Sequence, residues 1–230
     1  MEIKVGLDDL VGAVRLCRAY LKGKADDRIV ARLDNNGVQA AVTSDGTLLI
    51  DGSNEVYDWL GINIDVFESV ARQTAMGDSG KYEWHAGFLK HAQTVFAFAS
   101  GLSSPPKLII GHSLGAASAQ IVGSSLRVPT IAFASPLTQR IRRFKKTKRP
   151  QGRHWVLNIQ RADDLVCGLP PKWLGFAHVG NVLAMSPKGV HDGQDHSTKN
   201  YLNALRDGYM SKQLQKHLPL ALGASAPADS

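Results

Sequence analysis

Leu7, Leu10, Val11, Val14 and Cys17 recur at three- and four-residue intervals, the period of an amphipathic helix over residues 7–20. Beyond it the pattern shortens. Gly37-Val-Gln-Ala-Ala-Val-Thr43 and Thr47-Leu-Leu-Ile50 flank the dipeptide Asp45-Gly46, which predicts two strands joined as a hairpin. A helix is expected over 88–99. Lys107 to Ile110 is a short apolar strand announced by Pro105-Pro106, and the Ala-rich run from Leu114 to Leu126 is a helix. Thr130 to Ala134 and Trp155 to Ile159 read as two more buried strands. Apolar strands alternating with helices predict an α/β fold, a mostly parallel central sheet with helices on both faces. No internal repeat is present. Residues 1–217 are expected to form a single domain, and 218–230, rich in Ala, Pro and Ser, a flexible tail.

Composition agrees with a globular chain able to bury a sizeable core: 230 residues, 43% hydrophobic and 20% charged. No window reaches the roughly 18 apolar residues of a membrane span. The opening Met1-Glu-Ile-Lys-Val has an acid where a secretory signal is basic and then apolar. The expected setting is cytoplasmic, or outside the cell by a route other than a Sec signal. The two cysteines, Cys17 and Cys167, read as free buried thiols, with a single bridge between them as the alternative.

The net charge of +7 is local rather than general. Arg140, Arg142, Arg143, Lys145, Lys146, Lys148, Arg149 and Arg153 fall within fourteen positions with no acid among them. Without those eight, 19 basic residues face 20 acids, a net of −1. Such a run is a solvated face, or a surface that attracts an anionic interface such as phospholipid head groups. Nucleic acid is the weaker alternative, because Phe144 is the one interleaved aromatic and no nucleic-acid motif surrounds it.

The chemistry enters at Gly111-His112-Ser113-Leu114-Gly115, a G-x-S-x-G between a predicted strand and a predicted helix. That setting is a nucleophile elbow: a tight, strained turn raises the serine at the carboxyl edge of the sheet. The following helix then aims its N–H groups and positive dipole end at the reacting centre.

Around this motif the chain resembles the class 3, fungal-type lipases of the α/β-hydrolase superfamily. Leu49-Ile-Asp-Gly-Ser53, followed by Asp58-Trp59, looks like the strand that ends in the family's Gly-Ser/Thr oxyanion element. Trp84-His-Ala-Gly-Phe88 is similar to its His-x-Gly-Phe, and Ile110-Gly-His-Ser-Leu-Gly-Ala116 to its elbow. Phe133-Ala-Ser-Pro136 stands where the family has Phe-Gly-Ser-Pro. Ala162-Asp-Asp-Leu-Val-Cys-Gly-Leu-Pro-Pro171 looks like the acid segment, and Phe176-Ala-His-Val-Gly180 like the family's His-Val-Gly. The ordered set spans about 47–202.

A serine hydroxyl needs a base, and the base an orienting acid. In α/β-hydrolases the chain order is Ser, acid, His. The resemblance favours Asp164 as the acid, with Asp163 as the alternative. It favours His196, in His196-Ser-Thr-Lys-Asn-Tyr201-Leu202, as the base, with His191 as the alternative. His178 is expected in a structural role and His217 in solvent. The oxyanion hole falls to the backbone of Leu114 and, by resemblance, Ser53; Asp51 departs from the Arg that commonly precedes the family's Gly. Val56, Trp59 and Leu60 form an apolar face where the family carries its lid, or else a short helix packed on the core.

The resemblance implies a carboxylic ester hydrolase, a lipase or phospholipase working through an acyl-enzyme, with no cofactor and no metal. A soluble short-chain esterase, or a catalytically silent lipid-binding protein of the same fold, are the alternatives.

Overall fold

Every second residue of a strand points to the same face of its sheet, so a strand apolar throughout belongs between two helix layers. The computed structural model, which describes residues 2–52, 70–71, 76, 82–141, 149–189 and 196–223, has such a sheet. In chain order its first elements are β1 (Ile3–Val5), α1 (Leu7–Leu21), β2 (Ile29–Asn35), β3 (Val38–Thr43), β4 (Thr47–Ile50), β5 (Val70–Ala71) and β6 (Trp84–His85). Then follow α2 (Ala86–Ser100), β7 (Leu108–His112), α3 (Leu114–Leu126), β8 (Thr130–Phe133), β9 (Gln139–Arg140) and β10 (Val156–Arg161). The last are β11 (Phe176–Ala177), β12 (Asn181–Met185), α4 (Thr198–Arg206), α5 (Met210–Gln215) and β13 (Leu220–Leu222).

The main sheet, among the described residues, has seven strands in the order β12-β10-β8-β7-β4-β3-β2. The first five are mutually parallel, and β3 and β2 complete it as antiparallel strands. The hairpin predicted around Asp45-Gly46 is β3–β4, with Ala41 opposite Leu49. Leu48, Ile50 and Ile109 pack with α2 and α3 on one face; Leu49, Ile110, Ile131 and Leu157 pack with α1, α4 and α5 on the other. Adjacent residues of one strand thus feed opposite cores, which is why these strands read as unbroken apolar runs. β11, β9, β6 and β5 form a smaller sheet beside the main one.

Several boundaries differ from the sequence expectation. β8 ends at Phe133 because Ala134 adopts φ 53°, which ends the extended run. Trp155 closes a 3₁₀ turn, and the third buried strand runs from Val156 to Arg161. The tail expected from residue 218 is corrected at its start. Leu220–Leu222 pairs antiparallel with Ile3–Val5, and Leu222 is fully buried against the α1 layer. Residues 224–230 lie outside the described residues. Among those described, no helix is long and apolar enough to cross a membrane. Cys17 and Cys167 are free and buried, as expected.

α3 sits close to the sheet because Gly123 lacks a side chain. A Cβ there would lie 1.9 Å from Thr130 Oγ1, which is itself buried and hydrogen-bonded to Val128 O at 2.8 Å. Gly123→Ala is therefore expected to lower unfolding stability by about 1–3 kcal/mol in urea titration. Adding Thr130→Ala should recover part of the loss, and an unchanged midpoint for the single variant would contradict this contact.

β4 runs into Asp51, whose carboxyl acts on Cys17 and Tyr20 of α1. Burial pushes that carboxyl up to about 6, against the opposing hydrogen bond from the Gly52 N–H. The unfolded chain ionises Asp51 near 3.8, so between that value and about pH 6 it holds fewer protons than the native state. Stability falls as pH rises through this window. Asp51→Asn is expected to raise the melting temperature above pH 6, with the difference vanishing below the ordinary carboxylate value; an equal effect at both ends would contradict the assignment.

Candidate active site

Ser113 joins the end of β7 to the start of α3 with φ 60° and ψ −125°, backbone angles a residue with a side chain rarely adopts. Close packing enforces them. A Cβ on Gly111 would lie 2.4 Å from Gly115 O, and one on Gly115 would lie 2.3 Å from Ile50 O. The Ser113 N–H donates to Phe133 O at 3.1 Å, and the Ser113 carbonyl accepts from Ala116 and Ala117 at 3.0 and 3.1 Å. The hydroxyl therefore stands over the carboxyl edge of the sheet at the positive end of a 13-residue helix.

The structure brings His196 and Asp164 to this serine. His196 precedes α4, whose N-cap Ser197 accepts from the Asn200 N–H at 3.2 Å. His196 Nε2 lies 2.7 Å from Ser113 Oγ, and Nδ1 lies 3.0 and 2.9 Å from the two Asp164 carboxylate oxygens. A carboxylate only accepts, so Nδ1 carries the proton in neutral His196. Nε2 then presents a lone pair to the Ser113 hydroxyl. All three side chains are buried.

Asp164 stays an acceptor for a definable reason. Burial raises its carboxyl, but the hydrogen bond and charge of His196, the Tyr201 hydroxyl and the Val166 N–H together hold it below the usual carboxylate range. Tyr201 OH donates to Oδ2 at 2.9 Å, and Val166 N–H to Oδ1 at 3.0 Å. The Tyr201 oxygen is held in turn by the Arg161 N–H at 3.0 Å. Asp163 turns away, its two oxygens engaged by the Arg161 guanidinium at 3.0 and 2.7 Å.

His112, the residue before the serine, is a contributor that its place in the G-x-S-x-G motif does not reveal. Its ring lies 4.9 Å from that of His196, centroid to centroid, and its Nε2 is 2.7 Å from His196 O. A carbonyl accepts only, so Nε2 donates. Burial, with the nearby His196, pushes its pKa down to about 4 and keeps it neutral. Tyr201 entered the sequence reading only as a marker downstream of His196, yet it touches the acid directly.

The remaining expected residues divide. Leu114 opens α3 beside Ser113, and Gly52 brings the loop after β4 against it. A Cβ on Gly52 would lie 2.9 Å from Ser113 Cβ and 3.1 Å from Leu114 N. Ser53, Val56, Trp59 and Leu60 lie outside the described residues, as do His191 and 142–148 of the basic run. His178 is partly buried, 2.5 Å from Gln160 Nε2 and 3.3 Å from Cys167 O through its own Nε2, and His217 is exposed. Gln120, buried in α3, ties the loop after β8 to the His178 segment. It donates to Pro136 O at 3.0 Å and accepts from the Val179 N–H at 2.8 Å. Among the described residues no group of three or more His, Cys, Asp or Glu is placed to hold a metal.

No protein-family model matches the sequence, and no curated protein matches it by sequence. Solved structures do match by shape. The triacylglyceride lipase of Rhizomucor miehei is 17% identical, with 80% of this chain and 83% of that one covered at a TM-score of 0.56. Lipase II from Rhizopus niveus is 14% identical over 82% and 84%, at 0.53. The Penicillium cyclopium protein MDLA, as a mutant form, is 15% identical over 84% of each chain, at 0.52. At these identities the likeness is one of fold: the chain has the α/β-hydrolase fold, in the arrangement that these fungal proteins share.

Proposed function

We propose that this protein is a serine hydrolase of carboxylic esters, acting on lipid substrates by two-step acyl transfer. The observation that carries the reading is the unbroken chain Ser113 Oγ–His196 Nε2, 2.7 Å, and His196 Nδ1–Asp164, 2.9 Å, on a serine with φ 60°. Ser113 attacks the ester carbonyl while Nε2 of His196 takes its proton, and Asp164 stabilises the imidazolium. The tetrahedral oxyanion is met by the Leu114 N–H, with Ser53 as the second donor. His196 returns the proton to the leaving alcohol, and water then repeats the sequence on the acyl-enzyme to release the acid. Neither step calls for a cofactor or a metal.

Lipid as the substrate class rests on the neighbours and on two features of the chain. One solved triacylglycerol lipase of this fold has a serine-protease triad as its catalytic centre, and another fungal lipase served as a model for interfacial activation. Val56, Trp59 and Leu60 fall at i, i+3 and i+4 in the sequence after the oxyanion element, a spacing that would suit the apolar face of a lid. The basic run 140–153 suits a phospholipid or lysophospholipid surface, and a triacylglycerol substrate would not need it. Residues 1–217, completed by the β13 strand that pairs with β1, act together as one catalytic domain in this reading.

Three outcomes test the proposal. Fluorophosphonate labelling and turnover of p-nitrophenyl esters should both be lost in Ser113→Ala, with kcat down about ten-thousand-fold or more. Asp164→Asn should fall about as far with the fold intact, whereas Asp163→Asn should stay within about threefold. An unlabelled wild type would instead support a silent lipid-binding protein. Short soluble esters turned over faster than any phospholipid or triacylglycerol would support the short-chain esterase.

Tyr201→Phe removes one donor from a buried carboxylate. It should lower kcat by about tenfold while KM holds, since the hydroxyl touches Asp164 and not the substrate. Equal rises in KM and falls in kcat would place Tyr201 elsewhere in the mechanism.

A further inference from the structure

A cleft of about 510 Å³ lies where β11 and β12 meet the residues ahead of β10, and three cations line it. Arg149, Arg153 and Lys172 line it, together with His178, and none of Ser113, Asp164 or His196 does. Among the described residues no carboxylate lines it. Leu137 and Phe176 give it an apolar wall. The volume falls within the range of small-ligand sites, about 300–1,000 Å³.

The charges are built in rather than loosely gathered. Arg149 Nη1 donates to His178 O at 3.0 Å, which fixes its guanidinium at the rim. Arg149 is held below its ordinary range, first by partial burial and then by the nearby charge of Arg153. Burial lowers His178 to about 4, the Cys167 carbonyl opposes this, and Lys172 lowers it further. Arg149 and Arg153 thus lie within electrostatic reach of each other, and Lys172 lies within reach of the neutral His178 ring. Like charges gathered in one concavity raise the free energy of the empty site, and an anion entering it relieves that repulsion. Guanidinium N–H groups and one ammonium point charge match the oxygens of a phosphoryl group, and the apolar wall matches an organic substituent on it.

We infer that this cleft is a binding site for a phosphate ester, distinct from the Ser113 site, with Arg149, Arg153 and Lys172 as its phosphate-binding residues. The ligand arrives either as a soluble phosphate ester or as the head group of a phospholipid. Trp173, next to Lys172 and 67% exposed, is the residue that would enter the interface in the second case. The inference goes beyond the hydrolase reading and stands without it, because no lining residue takes part in acyl transfer.

Binding is measured in full-length Ser113→Ala protein, so that no turnover of the probe occurs. The probes are inorganic phosphate, glycerol 3-phosphate, and phosphatidylcholine vesicles with and without phosphatidate. The comparison is Arg153→Gln with Lys172→Gln against Lys22→Gln with Lys24→Gln, which removes the same charge from exposed positions elsewhere. The cleft pair should weaken binding by about a hundredfold, and the control pair by less than about threefold. Lys172→Gln alone, at an exposed side chain, should weaken it by about tenfold and serves if the pair disturbs folding, as read by circular dichroism. Binding of glycerol 3-phosphate that follows this pattern identifies a soluble ligand. Binding of phosphatidate vesicles alone, again following the pattern, identifies a lipid head group. No binding of any probe, or equal losses in the two double variants, overturns the inference.

Discussion

The backbone of Ser113 is the constraint on which the rest of the site depends. Its φ of 60° costs on the order of 1–3 kcal/mol and persists only because the surroundings over-determine it. Gly111, Gly115 and Gly52 do so by omission. A Cβ at any of them would strike backbone at 2.3–2.5 Å, so β4, β7 and α3 approach one another to distances that side chains forbid. One conformation then sets three things together: the direction of the hydroxyl, the placing of the Leu114 N–H, and the aim of the helix dipole.

The partners reach that serine from 51 and 83 positions further along the chain, at the carboxyl end of β10 and ahead of α4. Both are delivered to the same edge of the sheet as the elbow, the edge where open parallel sheets gather their functional groups. Asp164 also needs supporting donors to remain ionised where burial favours the neutral acid. Tyr201 and the Val166 N–H supply them, and His112 ties down the backbone that carries His196. The arrangement forms only when β7, β10 and α4 are packed, since each contact joins elements distant in sequence. Local unfolding of any one of them dissolves the acceptor chain.

What was readable before any coordinates followed periodicity and small residues. The amphipathic helix, the Asp45-Gly46 hairpin, the Ala-rich helix and the strands at 107, 130 and 155 each carry a local signal, and each is present. β2 and β12 were missed because both lie at the sheet edges: Ile29–Asn35 alternates half-buried and exposed positions with none fully buried, and in Asn181–Met185 only Met185 is fully buried. β13 was concealed by the Ala- and Ser-rich residues that follow it. In the site, the elbow and the order of acid and base were legible from motif chemistry. The choice of Asp164 over Asp163 came from an aligned motif; Arg161 engages Asp163 two residues away, but the contacts that select Asp164, from His196 and Tyr201, are tertiary and no local pattern encodes them. The roles of His112 and Tyr201 were hidden for the same reason. Ala134 is instructive in the other direction. The resembling family has Gly at that place, and φ 53° here explains the preference, although alanine tolerates the angle in this chain.

The basic charge takes its meaning from where the fold sends it. Read along the chain, Arg149 and Arg153 are the end of a run; folded, they line one cleft together with Lys172, from beyond the acid segment in sequence. β10 lies between the two chemistries, with Arg153 ahead of it and Asp164 after it. The groups that hold Asp164 ionised are His196, Tyr201 and Val166, and the cations of the cleft are not among them. A phosphate ester can therefore enter or leave the cleft without retuning the Asp164–His196 pair. Anchoring and acyl transfer are then carried by different residues of one fold, and binding energy gained at the cleft is available to position a substrate without using the groups of the proton chemistry.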